Sequence, residues 1–251
     1  MIGSLFSGIG GFELGLEAAG LGPVAWQVEK DPYARAVLAR HWPDVPRYND
    51  VRDVGAHNLG AVDIMCGGFP CQDVSSAGRR AGLQGEKSGL WYEYLRIVQE
   101  LLPPVVLVEN VASGEKRWLP HVTADLEASG YVVRAYHISA ADVGAPQLRR
   151  RVFVVGYGES SSAISFQRPR PRPHAFPPRR GDDAAWEEWT ARGGPSPGQR
   201  REAPQRRPPR GQIVATRANR LRALGNSVVP QCAEQIGHLV LAYFEQSVSL
   251  P

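Results

Sequence analysis

Met1-Ile-Gly-Ser-Leu-Phe-Ser-Gly-Ile-Gly-Gly-Phe-Glu-Leu-Gly-Leu-Glu-Ala-Ala19 is the stretch on which the fold turns. It reads as a strand over Ile2–Phe6, a glycine turn, and a helix over Phe12–Ala19. Glycines at the end of a first strand let the backbone approach a ligand closely, the usual binding place in an open α/β sheet. The alternation continues with a strand at Val24–Glu29, a helix at Pro32–His41 and a short buried strand at Asp63–Cys66. A helix with an apolar face spans Leu90–Leu102, and a fully apolar strand follows at Val105–Val108. Leu119–Ser129 is a helix, and Tyr131–Ile138 and Val152–Val155 are strands. Such alternation predicts an α/β fold, a parallel sheet with helices on both faces. Val229–Phe244 reads as one more helix that returns to the core. The glycine turn departs from the dinucleotide fingerprint, because Glu13 stands at the third glycine position.

The 251 residues accommodate one full α/β domain and a small appendage, and 43% hydrophobic residues suffice for its core. Three cysteines argue against a disulfide-built secreted domain. The start has no basic-then-apolar leader pattern, and nothing approaches the roughly 18 apolar residues of a membrane span. The expectation is a soluble cytoplasmic protein without a membrane partner. Charge is uneven: Gly158–Gly211 holds 11 Arg, no Lys, 6 acidic residues and 10 of the 21 prolines. Runs such as Arg168-Pro-Arg-Pro-Arg-Pro173 exclude helix and central strand, since proline lacks the donor and fixes its own φ. The segment is either a solvated linker or a basic element that meets phosphates. Trp186 and Trp189 point to a small packed cluster inside it. The chain therefore divides into an alternating strand-and-helix region at 1–157, an Arg/Pro-rich segment at 158–212 and a C-terminal segment at 213–251 that returns to the first.

Further clusters can carry chemistry. Glu29, at the end of the second strand, can accept from two ribose hydroxyls, and Asp50 from an adenine amino group; a surface carboxylate is the plain alternative for each. In Gly67-Gly-Phe-Pro-Cys-Gln-Asp73 the cysteine follows proline in a restrained backbone. A thiol of ordinary pKa, ~8.5, needs deprotonation to act as a nucleophile; the alternative is a small buried residue. Cys66 and Cys71 have the wrong spacing for a metal site, so none is expected, and Cys232 reads as core. In Val108-Glu-Asn-Val111 a carboxylate follows a buried strand, where its pKa can rise and it can exchange protons. In Gln147-Leu-Arg-Arg-Arg-Val-Phe153, alternation sends Arg149 and Arg151 to one face and Arg150 to the other. Ala223-Leu-Gly-Asn-Ser-Val-Val-Pro230 reads as a Gly-Asn loop that delivers a helix.

Taken in order, Phe-Ser-Gly-x-Gly-Gly, Gly-Phe-Pro-Cys-Gln, Glu-Asn-Val, Gln-x-Arg-x-Arg and Gly-Asn-Ser-Val resemble the cytosine-C5 DNA methyltransferases. The resemblance covers 1–157 and about 219–246. It implies an S-adenosylmethionine-dependent methyltransferase, a Rossmann-like sheet with a small irregular target-recognition segment. Phe6, Gly8, Gly10, Glu29, Asp50 and Leu90 would line the cofactor pocket, with Asn226 and Ser227 closing it. Cys71 would add to C6 of a flipped cytosine. Glu109 would hold N3 and the exocyclic amine, Arg151 the O2, and Arg149 would orient Glu109. Pro70, Gln72, Ser75 and Gln147 would border the substrate, and Arg168, Arg170 and Arg172 would contact DNA. The implied partner is double-stranded DNA, in a bacterial or phage-encoded setting that admits a cognate restriction endonuclease, and a monomer suffices. Two departures stand out: Lys30 replaces the apolar residue common after the glutamate, and the Arg-rich motif that usually precedes Gly-Asn-Ser is not recognisable. A tRNA cytosine-C5 methyltransferase is the alternative, although Gln-Asp-Val-Ser after Cys71 lacks the Cys-Phe-Thr element of that branch. A catalytically silent DNA-binding relative is another.

Overall fold

The computed structural model describes residues 1–70, 89–159 and 216–248. Within them seven strands form one sheet: β1 (Ile2–Leu5), β2 (Val24–Val28), β3 (Arg47–Tyr48), β4 (Ile64–Gly67), β5 (Val105–Val111), β6 (Val132–Ser139) and β7 (Arg150–Tyr157). Their spatial order is β3-β2-β1-β4-β5-β7-β6. The first five run parallel. β7 lies between β5 and β6 and is antiparallel to both, which corrects the wholly parallel sheet expected from the alternation. The cause is the length of the connection between β6 and β7. A parallel return needs a crossover of a dozen or more residues, whereas β6 and β7 are joined by a 3-10 turn at Ala140–Val143 and a short loop. Ser139 and Asp142 close that turn with a capping box, and Gly144 takes φ +89° to end it.

Helices α1 (Gly11–Ala18), α2 (Pro32–His41), α3 (Gly89–Leu101), α4 (Glu115–Ala128), α5 (Arg217–Asn226) and α6 (Pro230–Val248) complete the described chain. Strand alternation splits the core in two. One face sends Leu5, Val28, Met65, Val106 and Val108 against Trp91, Tyr94 and Val98 of α3 and Trp118 and Val122 of α4. The other sends Ile2, Ile64, Val105, Leu107 and Phe153 against Phe12 and Leu16 of α1 and Ile236, Val240 and Phe244 of α6. Each aliphatic side chain so buried contributes about 1.5–3 kcal/mol.

Glycine allows α1 and α6 to approach backbone to side chain. A Cβ on Gly15 would sit 2.2 Å from the Pro230 carbonyl oxygen and 2.6 Å from Ala233 Cβ. Glu13, in the first turn of α1, is fully buried. It accepts from Gln27 Nε2 at 3.2 Å, and burial pushes its carboxyl up to about 7. The expected Gly-Asn loop at Ala223–Pro230 is instead the end of α5 and a short link. The Thr216 hydroxyl caps α5 by accepting from Asn219 N at 3.1 Å.

Candidate active site

All five parallel strands end on one cavity of about 500 Å³. It lies at the carboxyl edge of the sheet, where an open α/β sheet presents its crevice. After β1 the chain turns through Phe6 at φ +53° and Gly8 at φ +57° to Gly10 at φ +91°, which caps α1. A left-handed phenylalanine costs about 1–2 kcal/mol, and here it puts Phe6 on the cavity wall. Gly8 N donates to Glu29 Oε2 and Asp31 N to Glu29 Oε1, both at 2.7 Å. Burial raises the Glu29 carboxyl from its ordinary value against these two bonds. The carboxylate is thus fixed at the end of β2 with an edge toward the cavity. Gly10 is off the wall, because a Cβ there would meet the Trp42 ring at 2.4 Å.

Asp50 follows β3 on the wall. Arg52 bonds its carboxylate at 3.0 Å and Lys30 at 3.1 Å, and the Arg52 guanidinium holds it well below the usual carboxylate range. Lys30 is therefore an ion-pair partner of Asp50. Leu90 and Asn226 also line the cavity. Ser227 does not; its hydroxyl donates to the Val228 carbonyl at 3.0 Å.

The end of β4 supplies Gly68, Phe69 and Pro70 to the wall, and the end of β5 supplies Glu109 and Asn110. A Cβ on Gly68 would lie 2.7 Å from Glu109 Oε2, so glycine makes room for that carboxylate. Arg151 Nε sits 2.7 Å from Glu109 Oε1, the two side chains 16% and 10% exposed. Burial dominates and pushes Glu109 up to about 6, against the lowering influence of Arg151 and Arg149. A carboxyl group poised there can both hold and release a proton near neutral pH. Asn110, which the sequence reading did not single out, donates from Nδ2 to the Phe69 carbonyl at 3.2 Å. A second polar residue, directly after Glu109 at the end of an apolar strand, is the signal that could have found it.

Arg149 does not bond Glu109 here. Its Nη2 donates to the carbonyl oxygens of Gly225 and Ser227, both at 2.7 Å. Gln147 is exposed and off the wall. Asp31, Tyr33, Asn219 and Arg222 line the cavity and were not singled out either. Cys71, Gln72, Ser75, Arg168, Arg170 and Arg172 lie outside the described residues. Among the described residues no cluster of three or more His, Cys, Asp or Glu could hold a metal ion, and no helix is long and apolar enough to cross a membrane.

Comparison with known proteins places this geometry. The sequence profile of the C-5 cytosine-specific DNA methylases matches residues 1–179. The type II methyltransferase M.Bsp6I of Bacillus sp. (strain RFL6) is 32% identical over 178 residues, which cover 68% of this chain and 56% of that protein. M.HhaI of Haemophilus parahaemolyticus is 34% identical over 171 residues, 66% of this chain and 52% of that protein. Among solved structures, a candidate DNA modification methyltransferase encoded within an E. coli prophage superposes with a TM-score of 0.53. It is 28% identical and covers 69% of this chain and 52% of its own. The chain thus spans about half the length of these relatives. A profile matched from the glycine turn through β7 means that the chain belongs to the C-5 cytosine-specific DNA methylase family.

Proposed function

We propose that this protein transfers the methyl group of S-adenosylmethionine to C5 of cytosine in double-stranded DNA. The observation that carries the reading is the buried Glu109–Arg151 pair on the same cavity as the glycine turn and Glu29. Phe6, Val28 and Leu90 offer apolar walls for an adenine, Glu29 offers a carboxylate edge for ribose hydroxyls, and the volume suits a ligand of that size. When bound, S-adenosylmethionine supplies the electrophilic methyl that C5 takes up.

The chain's own residues make C5 reactive. The Cys71 thiolate adds to C6, forming an S–C bond and breaking the ring's aromaticity. Glu109 places its proton on N3, so that negative charge does not accumulate on the ring, and accepts from the exocyclic amine. Arg151, already in contact with Glu109, fixes the carboxyl's orientation and favours its ionised form once the proton has gone. Asn110 holds the Phe69 carbonyl, and Phe69 precedes Pro70-Cys71 in sequence, so this bond steadies the strand end from which the nucleophile leaves. Loss of the C5 proton to water, expulsion of the Cys71 thiolate and return of the N3 proton to the Glu109 carboxylate then release 5-methylcytosine and restore the enzyme's groups.

The experiment is expression in a bacterium lacking cytosine methylation, followed by genome-wide bisulfite sequencing. Protection confined to one short sequence context supports the proposal. A soluble protein that leaves every cytosine convertible contradicts it. Cys71→Ala should abolish protection while cofactor affinity, read by calorimetry, stays within about two-fold. Protection by this variant comparable to wild type would remove Cys71 as the nucleophile.

A further inference from the structure

The segment 222–227 crosses the mouth of the cavity and is tied down at both ends by arginine. At one end Arg222 Nη2 lies 2.7 Å from Asp31 Oδ2. Asp31 Oδ1 is occupied elsewhere, capping α2 through Tyr33 N at 2.8 Å and Ala34 N at 3.1 Å. One carboxylate therefore caps a helix of the core and grips a helix of the C-terminal segment. At the other end Arg149 Nη2, from the chain entering β7, holds the Gly225 and Ser227 carbonyl oxygens. α5 itself contributes no buried residue, so among the described residues apolar burial does not hold it in place. Arg222, Ala223, Gly225 and Asn226 all face the cavity, and the polar ties to Asp31 and Arg149 fasten them to the sheet domain.

We infer that Arg222, with Asp31, and Arg149 are positioning residues for the cofactor: they clamp 222–227 over the pocket and hold Asn226 on its wall. The inference rests on the reading of this cavity as the S-adenosylmethionine site. It requires that cofactor affinity track the clamp, since a loosened segment must be re-ordered each time the ligand binds.

The probe is S-adenosylhomocysteine, titrated calorimetrically into the full chain and into Arg222→Ala, Asp31→Asn and the double variant. Asparagine is as good a helix cap as aspartate, so Asp31→Asn keeps α2 capped and removes only the charge that Arg222 meets. Each single variant should weaken binding about two- to five-fold, the worth of one largely exposed ion pair. The double variant should be no weaker than either single one, because both changes break the same tie. Arg222→Lys should recover part of the loss, and the deficit should shrink at about 1 M salt, where exposed pairs are screened. Arg149→Lys, which keeps charge and donors, should bind more tightly than Arg149→Met.

Wild-type affinity in Arg222→Ala, or a double variant whose loss is the product of the two single losses, would overturn the clamp. The second result would mean that Arg222 and Asp31 touch the ligand independently. Wild-type protein that fails to bind the probe at all would instead overturn the cofactor reading, and the clamp with it.

Discussion

Replacing Arg151 by Met keeps much of the aliphatic stem and removes the charge 2.7 Å from Glu109. Both side chains are at least five-sixths buried, so water screens the pair little. In the wild type, burial has already pushed the Glu109 carboxyl up to about 6, with Arg151 the first of the influences that oppose it. An opposite charge in contact holds a carboxyl down by about one to three pH units, each worth about 1.4 kcal/mol. A carboxyl whose folded value exceeds its unfolded value stabilises the protein below the unfolded value, near ~4.3. That contribution is lost as pH rises through the folded value. In wild type the loss ends shortly above pH 6; in the variant it continues upward. The stability gap between the two proteins should therefore stay constant below about pH 5 and widen by about 1.4–4 kcal/mol between about pH 6 and 9. At about 2–4 °C per kcal/mol for a chain of this size, the melting temperatures should diverge by roughly 3–16 °C. The assay is thermal unfolding of both proteins without cofactor across that range, since a ligand bound to the folded state would add its own stabilisation. Other titrating groups, Glu13 among them, are common to both proteins and cancel in the difference. A gap that is flat from about pH 5 to 9, or that narrows, would refute the coupling of Glu109 to Arg151.

Glu13, buried and pushed up to about 7, loses its stabilising neutrality as pH rises through that value. Glu13→Gln should therefore gain on wild type by about 1.4 kcal/mol between about pH 6 and 9 in urea unfolding, and an equal midpoint difference at both pH values would sink the idea. Gly15→Ala should cost about 1–3 kcal/mol by overpacking, because its Cβ would stand 2.2 Å from a carbonyl oxygen of α6; a melting temperature equal to wild type would show that α6 docks differently. Replacing Arg168, Arg170 and Arg172 by Ala should flatten the salt dependence of DNA binding by about one unit of slope for each phosphate that the run neutralises. An unchanged slope would mark that run as a solvated linker.

The elements legible in the sequence are those whose side chains carry a period. α2 begins and ends where Pro32 and His41 place it, since Asp31 caps it and proline suits its first turn. β5, apolar from Val105 to Val108, extends through Glu109 to Val111 because β7 pairs with it along its whole length. β3 is two half-buried residues with no apolar run to announce it, and α5 has no buried residue and hence no apolar stripe. The same distinction governs the site. Phe6, Gly8, Glu29, Asp50, Pro70 and Glu109 stand at the ends of strands, so topology alone delivers them to one wall. The partners of Arg149 are backbone carbonyls 76 and 78 residues further on, and a carbonyl has no signature in the sequence. The second oxygen of Asp31 is equally silent: a helix cap explains the residue, and nothing in its position announces Arg222.

The strand that breaks the parallel pattern is the one the site needs. β5 runs toward the cavity, and its last residues, Glu109 to Val111, lie at the cavity edge. Because β7 runs the other way, its first residues arrive at that same edge: Arg151 is registered opposite Val111, and Phe153 opposite Glu109. Paired residues on neighbouring strands point to the same face, so Arg151 emerges on the side that carries Glu109, and Arg149, two residues earlier, continues along it toward Ser227. Had β7 been parallel to β5, its entry would fall at the opposite edge, a strand length of roughly 20 Å away at about 3.3 Å per residue. No side chain spans that distance. The short turn at Ala140–Val143 that forbids a crossover helix is thus what brings Arg151 of β7 and Arg149 just ahead of it to this edge of the sheet, one against the buried carboxylate and one against the segment that covers the mouth.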